Sequence, residues 1–262
     1  MDTEIQKLGD LINAARRVVF FGGAGVSTES GIPDFRSADG LYSQKFAYPP
    51  EYMLSRTFFD EHTEEFYAFY RAKMLPPQSV KPNAAHMYLA NLEKRGLLTA
   101  VITQNIDGLH QAAGSKTVLE LHGSVWRNFC MGCGKFFETD IIVGAWRASP
   151  GQNAEGNSAL PNPKGVPLCD VCGKIIKPDV VLYEEGLNNE TLEKAVAHIA
   201  RADVLIIGGT SLNVYPAAGL VRYCNGKTVI INKSPTPYDS NADLLIADSI
   251  GKVFGALASM AP

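Results

Sequence analysis

Apolar residues along the chain alternate between two patterns, one typical of helices and one typical of short buried strands. From Thr3 to Arg16 they recur at helical spacing, and a β-branched and aromatic run from Val18 to Phe21 follows directly. Further short runs of nearly continuous hydrophobicity are typical of strands buried on both faces. Such runs lie at Thr99–Thr103, Thr117–Leu121, Val204–Gly208, Thr228–Asn232 and Leu244–Ala247, with helical patterns at Phe58–Lys73, Asn83–Arg95, Asn189–Arg201 and Tyr215–Asn225. This alternation predicts an α/β fold with a doubly wound parallel sheet.

One stretch, residues 125–181, interrupts the alternation. It holds two pairs of cysteines and a segment, Ser149–Gly165, that is rich in Gly, Pro and Asn and poor in large apolar residues. We therefore predict a small inserted module at 125–181, with a mobile excursion near 149–165. The two flanking ranges, 1–124 and 182–262, would then form one larger domain.

Composition and charge narrow the possible functions. The 262 residues carry 24 Lys and Arg against 27 Asp and Glu, a net charge of −3, so we expect no general affinity for nucleic acid or for an anionic membrane surface. The N-terminus has acids in place of the basic region of a signal peptide, and no apolar run approaches the roughly 20 residues of a membrane span. We expect a cytoplasmic protein, in which paired cysteines bind metal more often than they form disulfides.

Four of the five cysteines form two Cys-x2-Cys pairs, Cys130 with Cys133 and Cys169 with Cys172. Four thiolates suit tetrahedral Zn(II) in a closed site that leaves no position for water, which favours a structural metal over a catalytic one. A glycine follows each pair, as in many zinc ribbons. A redox pair or an iron–sulfur cluster is the alternative. Cys224 stands apart, and we expect it to be a buried packing residue.

Small residues follow two of the predicted strands. Gly22 to Thr28 follow the first strand, and Gly208 to Ser211 follow the strand that begins at Val204. Such residues let a phosphate approach the backbone at the carboxyl edge of a parallel sheet, where ligands of open α/β sheets bind. A plain tight turn is the alternative for each motif alone. Their joint placement, with Asn232 after the next strand, favours a nucleotide site.

Polar residues also follow the predicted strand that ends at Thr103. Gln104, Asn105 and Asp107 come directly after it, and His122 follows the next strand. Amide and carboxylate groups there could bind the polar parts of a cofactor, and a histidine at a strand end could act as a general base near neutral pH. The alternative for His122 is a hydrogen-bonded packing residue.

Taken in order, these motifs resemble those of the sirtuin family of NAD-dependent protein deacylases. The resemblance is carried by GAGVSTESGIPDFR at 23–36, TQNID at 103–107, LHG at 121–123, the two cysteine pairs, GGTSL at 208–212 and VYPAA at 214–218. It runs from about Val18 to Val253, nearly the whole chain. It implies a Rossmann-like NAD-binding domain with a small inserted zinc-ribbon module, in a minimal, bacterial-type core enzyme without targeting extensions.

The resemblance also implies which residues bind NAD. Phe35 would shield the ribose–nicotinamide bond, Asp107 would meet the carboxamide, and Asn232 would meet the adenosine half. The implied NAD contacts are Gly23, Ala24, Gly25, Thr28, Asp34, Phe35, Arg36, Gln104, Asn105, Ile106, Asp107, His122, Gly208, Thr210, Ser211, Asn232, Ser249 and Ile250.

The reaction implied by the resemblance is the deacetylation of a protein lysine. The acyl oxygen attacks C1′ of the nicotinamide ribose, nicotinamide leaves, and His122 takes a proton from the ribose hydroxyls so that the 2′-oxygen can attack the alkylamidate. NAD is consumed and O-acetyl-ADP-ribose is released, with Asn105 and Asp107 as further catalytic residues and the zinc taking no part. Mono-ADP-ribosyl transfer, or a non-catalytic module that binds NAD or acyl-lysine, is the alternative.

An acyl-lysine peptide would bind as an added strand, according to the same resemblance. The family's strand at this place often ends Phe-Gly-Glu, whereas here Glu184 stands where the glycine is expected. Together with Glu185 it could favour basic residues beside the acyl-lysine. The implied peptide contacts are Val181, Leu182, Tyr183, Glu184 and Val214.

The sequence also indicates which acyl groups would be accepted. Sirtuins that prefer succinyl or malonyl groups carry Tyr-x-x-Arg on an early helix, whereas here Tyr67 is followed by Tyr70 and then Arg71. An acidic acyl group would lack a bidentate arginine in register. We therefore predict a preference for acetyl or apolar acyl groups.

Overall fold

The computed structural model of the chain describes residues 2–37, 40–77, 79–142 and 165–260. The predicted excursion at 149–165 lies, apart from Gly165, outside the described residues. The α-helices include α1 (Asp2–Ala14), α2 (Pro50–Met53), α3 (Arg56–Glu61), α4 (Thr63–Lys73), α5 (Ala84–Lys94), α6 (Leu109–Ala112), α7 (Asn189–Arg201) and α8 (Ile250–Met260). The strands are β1 (Val18–Gly22), β2 (Leu98–Thr103), β3 (Val118–Glu120), β4 (Gly123–Cys130), β5 (Phe136–Glu138), β6 (Ile176–Val180), β7 (Val204–Gly208), β8 (Lys227–Ile231) and β9 (Leu244–Ile246).

Six parallel strands form the main sheet, in the order β3-β2-β1-β7-β8-β9. The chain starts at β1 in the middle, builds outward to β3 on one side, and later returns to β7 on the other side of β1. The predicted doubly wound α/β class is confirmed. In such sheets the reversal of strand order opens a crevice at the carboxyl ends of the strands. That crevice lies here between the ends of β1 and β7.

Burial on both faces explains why the strands look continuously apolar. Val18 and Phe20 of β1 belong to one core cluster, and Val19 and Phe21 to another on the opposite face, and all four are 0% exposed. Helices α1, α5 and α8 cover the first face, and α7 covers the second. Because both layers need apolar partners, no position of β1 is left for a polar residue.

The predicted helix Phe58–Lys73 is wrong at one point. The structure has two helices, α3 and α4, which meet at His62 with φ −128° and ψ 48°. The Thr63 hydroxyl donates to the Phe59 carbonyl at 2.8 Å, so a side chain satisfies the carbonyl that would otherwise accept the Thr63 N–H.

The predicted helix Tyr215–Asn225 is also corrected, to a 3-10 helix at Ala217–Tyr223. Its buried residues include the pairs Ala217 with Leu220 and Ala218 with Val221, and a spacing of three suits a 3-10 helix. Cys224, which we expected to be buried, follows this helix and is partly exposed.

A second, antiparallel sheet of three strands, in the order β5-β4-β6, carries the cysteine pairs at its end. Arg127 connects the two sheets, because its guanidinium donates to Glu120 of β3 at 2.7 Å and to Asp179 of β6 at 2.8 Å. Residues 123–180 hold this sheet, and the predicted module boundaries at 125 and 181 stay predictions.

The Arg71 side chain binds two backbone carbonyls that are far apart in the sequence. The Arg71 guanidinium on α4 donates to the Ile142 carbonyl at 2.7 Å and also to the Gly165 carbonyl. Ile142 and Gly165 are thereby held against the same helix.

No helix among the described residues is both long enough and apolar enough to cross a membrane.

Candidate functional site

The turns after β1 and β7 lie against each other without intervening side chains. Gly25 N donates to the Gly209 carbonyl at 2.8 Å, and Gly23 N donates to the Gly208 carbonyl at 3.3 Å. A Cβ on Gly25 would lie 2.8 Å from Gly209 Cα, and Gly209 has a φ of +59° that favours glycine. Both turns therefore leave bare backbone at the crevice, as a phosphate-binding cradle requires.

Gln104 connects this cradle to the next strand end. Its backbone N donates to the Gly22 carbonyl at 3.0 Å, and its side-chain amide donates to Thr210 Oγ1 at 2.9 Å. The ends of β1, β2 and β7 are thus joined by direct hydrogen bonds. Ala24, Thr28 and Ser211 lie in the same turns.

Ser27 stands at the centre of a buried hydrogen-bond network. Its hydroxyl donates to Asp107 Oδ2 at 2.6 Å and accepts from the Asn105 amide at 3.1 Å. Asp107 also accepts from Leu109 N at 2.9 Å, and its carbonyl accepts from the Trp126 indole at 2.7 Å. Ser27 was not among the predicted site residues. It lies inside the first glycine-rich motif, and that position is the sequence signal that points to it.

His122 enters the same crevice from the turn before β4. Its Nδ1 lies 3.0 Å from the Gln104 carbonyl oxygen. Because a carbonyl oxygen can only accept, Nδ1 carries the ring proton, and Nε2 keeps its lone pair. Burial lowers the pKa of His122, and the hydrogen bond to the Gln104 carbonyl opposes part of that shift. The imidazole is therefore neutral near pH 7 and able to accept a proton at Nε2.

Three of the predicted adenosine contacts lie farther along the sheet edge. Asn232 follows β8, and its amide donates to the Ser234 carbonyl at 2.7 Å. Ser249 precedes α8, and Ile250 opens that helix. The Ile250 side chain is 2% exposed and packs over Gly208, so only its backbone is available to a ligand.

Residues 34–37 and 40–43, named here the cofactor segment, contain the predicted contacts Asp34, Phe35 and Arg36. Asp34 Oδ1 accepts from Arg36 N at 3.0 Å and from Ser37 N at 2.7 Å. The two arms of the segment are joined by Tyr42 N, which donates to the Phe35 carbonyl at 2.8 Å. The Tyr42 and Phe35 rings pack edge to face, with centroids 5.6 Å apart.

Residues 181–184, named here the peptide strand, leave the second sheet after β6. Tyr183 pairs with the segment before α3, because its N donates to the Leu54 carbonyl and its carbonyl accepts from Arg56 N, both at 3.0 Å. Glu184 adopts a φ of +75°, the left-handed conformation that a glycine would take most easily. Thr57 offsets this strain, because its N and its hydroxyl donate to the Glu184 carboxylate at 2.9 and 2.7 Å.

The expectation that Glu185 attracts basic residues of a substrate is wrong. Its carboxylate accepts from the Arg56 guanidinium at 3.2 Å and from the Lys177 ammonium at 3.0 Å. Two cations of the chain itself thus already pair with this acid. Val214, the remaining predicted peptide contact, lies partly exposed in the segment that follows β7.

Tyr67 and Tyr70 of α4 face the core, and Arg71 on the same helix is partly buried. Tyr67 and Tyr70 are 0% and 1% exposed, and the Tyr67 hydroxyl donates to the Ile176 carbonyl. Arg71 is engaged with the carbonyls of Ile142 and Gly165. Neither Tyr67 nor Arg71 is therefore free to bind a carboxylate on an acyl group.

The four predicted metal ligands converge at the end of the second sheet. Their Sγ atoms all lie within 4.8 Å of one another, with Cys130 and Cys172 3.3 Å apart and Cys133 and Cys169 3.6 Å apart. Four sulfurs around a zinc ion at about 2.3 Å would lie about 3.8 Å apart. In each pair a backbone N–H points to the first sulfur, at 3.3 and 3.4 Å, which favours the thiolate. The tetrad fits a structural zinc ion.

Two further histidines lie buried beneath the site. His86 on α5 and His110 on α6 are 0% and 1% exposed, and their ring centroids are 4.7 Å apart. Burial lowers the pKa of His86 to about 4 and the pKa of His110 to about 3. Both are neutral packing residues at pH 7.

The sequence is similar to those of known bacterial enzymes. Residues 23–216 match the model of the Sir2 family. The chain is 56% identical over 260 residues to an NAD-dependent protein deacetylase of Clostridium tetani, with 98% of each chain covered. It is 55% identical over 253 residues to an NAD-dependent protein deacetylase of Clostridium acetobutylicum, with 95% of this chain and 96% of that relative covered.

The fold is similar to solved Sir2 structures. One, with a p53 peptide and NAD+, superposes with a TM-score of 0.83 at 40% identity, and 98% of each chain is covered. A Sir2 variant with a deacetylated p53 peptide and 3′-O-acetyl-ADP-ribose superposes with a TM-score of 0.86 at 38% identity, again with 98% of each chain covered. The similarity therefore spans both sheets.

Proposed function

This chain belongs to the Sir2 family and is an NAD-dependent protein deacetylase, and we propose that His122 is the general base of its reaction. The observation that carries the proposal is the 3.0 Å contact between His122 Nδ1 and the Gln104 carbonyl. It holds the ring in the tautomer whose Nε2 can accept a proton, on the side of the crevice where β1, β2 and β7 end. His122 Nε2 would take that proton from a ribose hydroxyl of NAD, which makes the oxygen a better nucleophile.

The buried network around Ser27 would hold the nicotinamide end of NAD. Asn105 and Asp107 are fixed by Ser27 and are 8% exposed each, so their polar atoms need no reorientation when the cosubstrate enters. Asp107 would accept from the nicotinamide carboxamide, and the turns at Gly23, Gly25 and Gly208 would let the phosphates approach the backbone because no side chain stands in the way.

The acyl-lysine substrate would bind in extended form along the peptide strand and Val214. Extended peptides add to exposed strand edges through main-chain hydrogen bonds. The solved Sir2 relatives with p53 peptides support an acetylated protein segment as the substrate class of this chain. Asp34, Phe35 and Arg36 would close the nicotinamide side of the same cleft.

Replacement of His122 tests this assignment. We expect His122→Ala to lower kcat for an acetyl-lysine peptide by about a hundredfold or more, since general-base catalysis contributes about 10²–10⁴-fold. The control is His198→Ala on the outer helix α7, which should retain wild-type kcat. Mass spectrometry should find O-acetyl-ADP-ribose and free lysine in wild type. If His122→Ala turns over as fast as His198→Ala, the assignment is wrong.

We further propose that the enzyme prefers acetyl or apolar acyl groups to acidic ones. The support is the placement of Tyr67 and Arg71, whose polar groups already bind backbone carbonyls. Two peptides that differ only in an acetyl or a succinyl group on one lysine provide the test. The proposal predicts a much higher kcat/KM for the acetyl peptide, and faster removal of succinyl would refute it.

A further inference from the structure

A hydrogen bond between two tyrosine hydroxyls joins the cofactor segment to the peptide strand. Tyr42 Oη and Tyr183 Oη lie 2.7 Å apart, although the residues are 141 positions apart in sequence. Tyr42 belongs to the segment that carries Phe35, and Tyr183 belongs to the strand predicted to bind the peptide. This bond is a direct link between the sites proposed for the two substrates.

The Tyr183 end of the link is held by main-chain pairing. Its N and its carbonyl are bonded to Leu54 and Arg56, both at 3.0 Å. The next residue, Glu184, is held by two hydrogen bonds from Thr57. The Tyr183 ring therefore projects from a backbone that is tied to the start of α3.

The Tyr42 end is tied to the residues that would touch NAD. Tyr42 N donates to the Phe35 carbonyl at 2.8 Å, and the two rings pack edge to face. The Arg36 guanidinium lies over the same ring, 5.5 Å from its centroid. A shift of the Tyr42 ring would therefore move both Phe35 and Arg36.

Tyr42 is partly buried at this bond, whereas Tyr183 is exposed. Burial raises the pKa of Tyr42, and the hydrogen bond to Tyr183 raises it further, so the hydroxyl stays protonated. Such a bond adds only a modest net stabilisation, so its importance here lies in the residues that it orders.

We propose that Tyr183 is a positioning residue for NAD, which acts through the Tyr42 hydroxyl on Phe35 and Arg36. The inference rests on the proposed placement of Phe35 beside the ribose–nicotinamide bond. The peptide strand thus has a second role, because it fixes the cofactor segment in the conformation that receives NAD before any peptide is present. A phenylalanine at position 183 would keep the ring and lose this link.

A double-mutant cycle on the two hydroxyls tests the proposal. The variants are Tyr42→Phe, Tyr183→Phe and the double variant, and the measurement is the dissociation constant for NAD by calorimetry, without peptide. Each single variant should bind NAD about fivefold more weakly, in line with one neutral hydrogen bond. The double variant should also be about fivefold weaker, because the same bond is lost once. Tyr223→Phe, an exposed tyrosine, should bind NAD as wild type does.

Two results would overturn the proposal. The first is an unchanged dissociation constant for NAD in Tyr183→Phe, and a lower melting temperature of that variant would then show a bond that only stabilises the fold. The second is a double variant weakened by the product of the two single effects. Because NAD binding is measured without turnover, the result is independent of the role proposed for His122. Failure of His122 as the base would show in the deacetylation assay alone.

Discussion

His122 is the residue whose surroundings bear most directly on catalysis. Burial lowers its pKa from the ordinary imidazole value, so the basic form persists into mildly acidic solution. A general base acts only when deprotonated, and kcat/KM reports the free enzyme. We therefore expect the acidic limb of the kcat/KM profile to have its midpoint below about pH 6.5. The measurement is the pH dependence of deacetylation of one peptide, and a midpoint above 7 would contradict the burial argument.

His110 predicts a different pH effect, on stability. Its folded pKa, about 3, lies below the value of about 6.5 expected in the unfolded chain. The unfolded state therefore binds more protons between these values, and the stability contributed by neutral His110 is complete above pH 6.5 and lost as the pH falls toward 3. At pH 5 the loss is about 2 kcal/mol.

Urea unfolding at pH 7 and pH 5 measures this loss. His110→Leu should show a smaller drop in unfolding free energy between the two pH values than wild type does. The control is Leu89→Ala, which would leave a cavity beside the neighbouring helix α5. It should lower the free energy of unfolding by a similar amount at both pH values. Equal drops for wild type and His110→Leu would refute the assignment.

At the scale of single residues, the metal ligands and the candidate base could be predicted from the sequence, whereas the residues that hold the site in place could not. The four cysteines are recognisable by their Cys-x2-Cys spacing, and His122 is recognisable by its place after a predicted strand. The Ser27 network and the Tyr42–Tyr183 bond join residues about 80 and 141 positions apart, so no local pattern announces them. Glu185 was misassigned because its cationic partners, Arg56 and Lys177, come from separate elements.

Among the elements, the contact between the turns after β1 and β7 has the strictest steric requirement. A Cβ on Gly25 would overlap the Gly209 backbone at 2.8 Å. Gly25→Ala should therefore separate the two turns, lower NAD affinity by tenfold or more, and cost about 1–3 kcal/mol of stability. The measurements are NAD calorimetry and thermal unfolding.

Gly255→Ala is the matched control for that substitution. Its Cβ would lie in α8 at an ordinary 3.7 Å from Ala84 Cβ, and alanine is the better helix former. It should leave NAD binding unchanged and raise stability slightly. If Gly25→Ala behaves like Gly255→Ala, the close contact does not matter for the site.

The hydrophobic pattern predicts some helices and strands well and misses other features of the elements. The strands of the main sheet and the helices α5 and α7 were predicted within a residue or so, because burial on two faces or one face imposes a period. The three strands of the second sheet were not predicted. The break at His62 was not, since it depends on a side-chain hydrogen bond from Thr63. The left-handed conformation of Glu184 was indicated only by the glycine that is expected at this position from the family resemblance.

At the scale of the whole molecule, the cysteine tetrad lies where a zinc ion would join the end of β4 to the segment before β6. One zinc ion per chain should be found by atomic absorption, and chelation or Cys133→Ser should lower the melting temperature and abolish deacetylation. The zinc has four thiolate ligands and no open position, so the loss would reflect structure and not chemistry. Cys224→Ser should keep the zinc and the activity. Full activity after complete zinc removal would refute a structural role.

The two carbonyls that Arg71 binds place a requirement on the side chain at position 71. A guanidinium presents several N–H donors in a fixed fork, whereas an ammonium group is a compact point charge. A lysine at this position would keep the positive charge and lose the fork that reaches both carbonyls. Arginine and lysine are therefore not interchangeable here, although both are cations on a partly buried helix face.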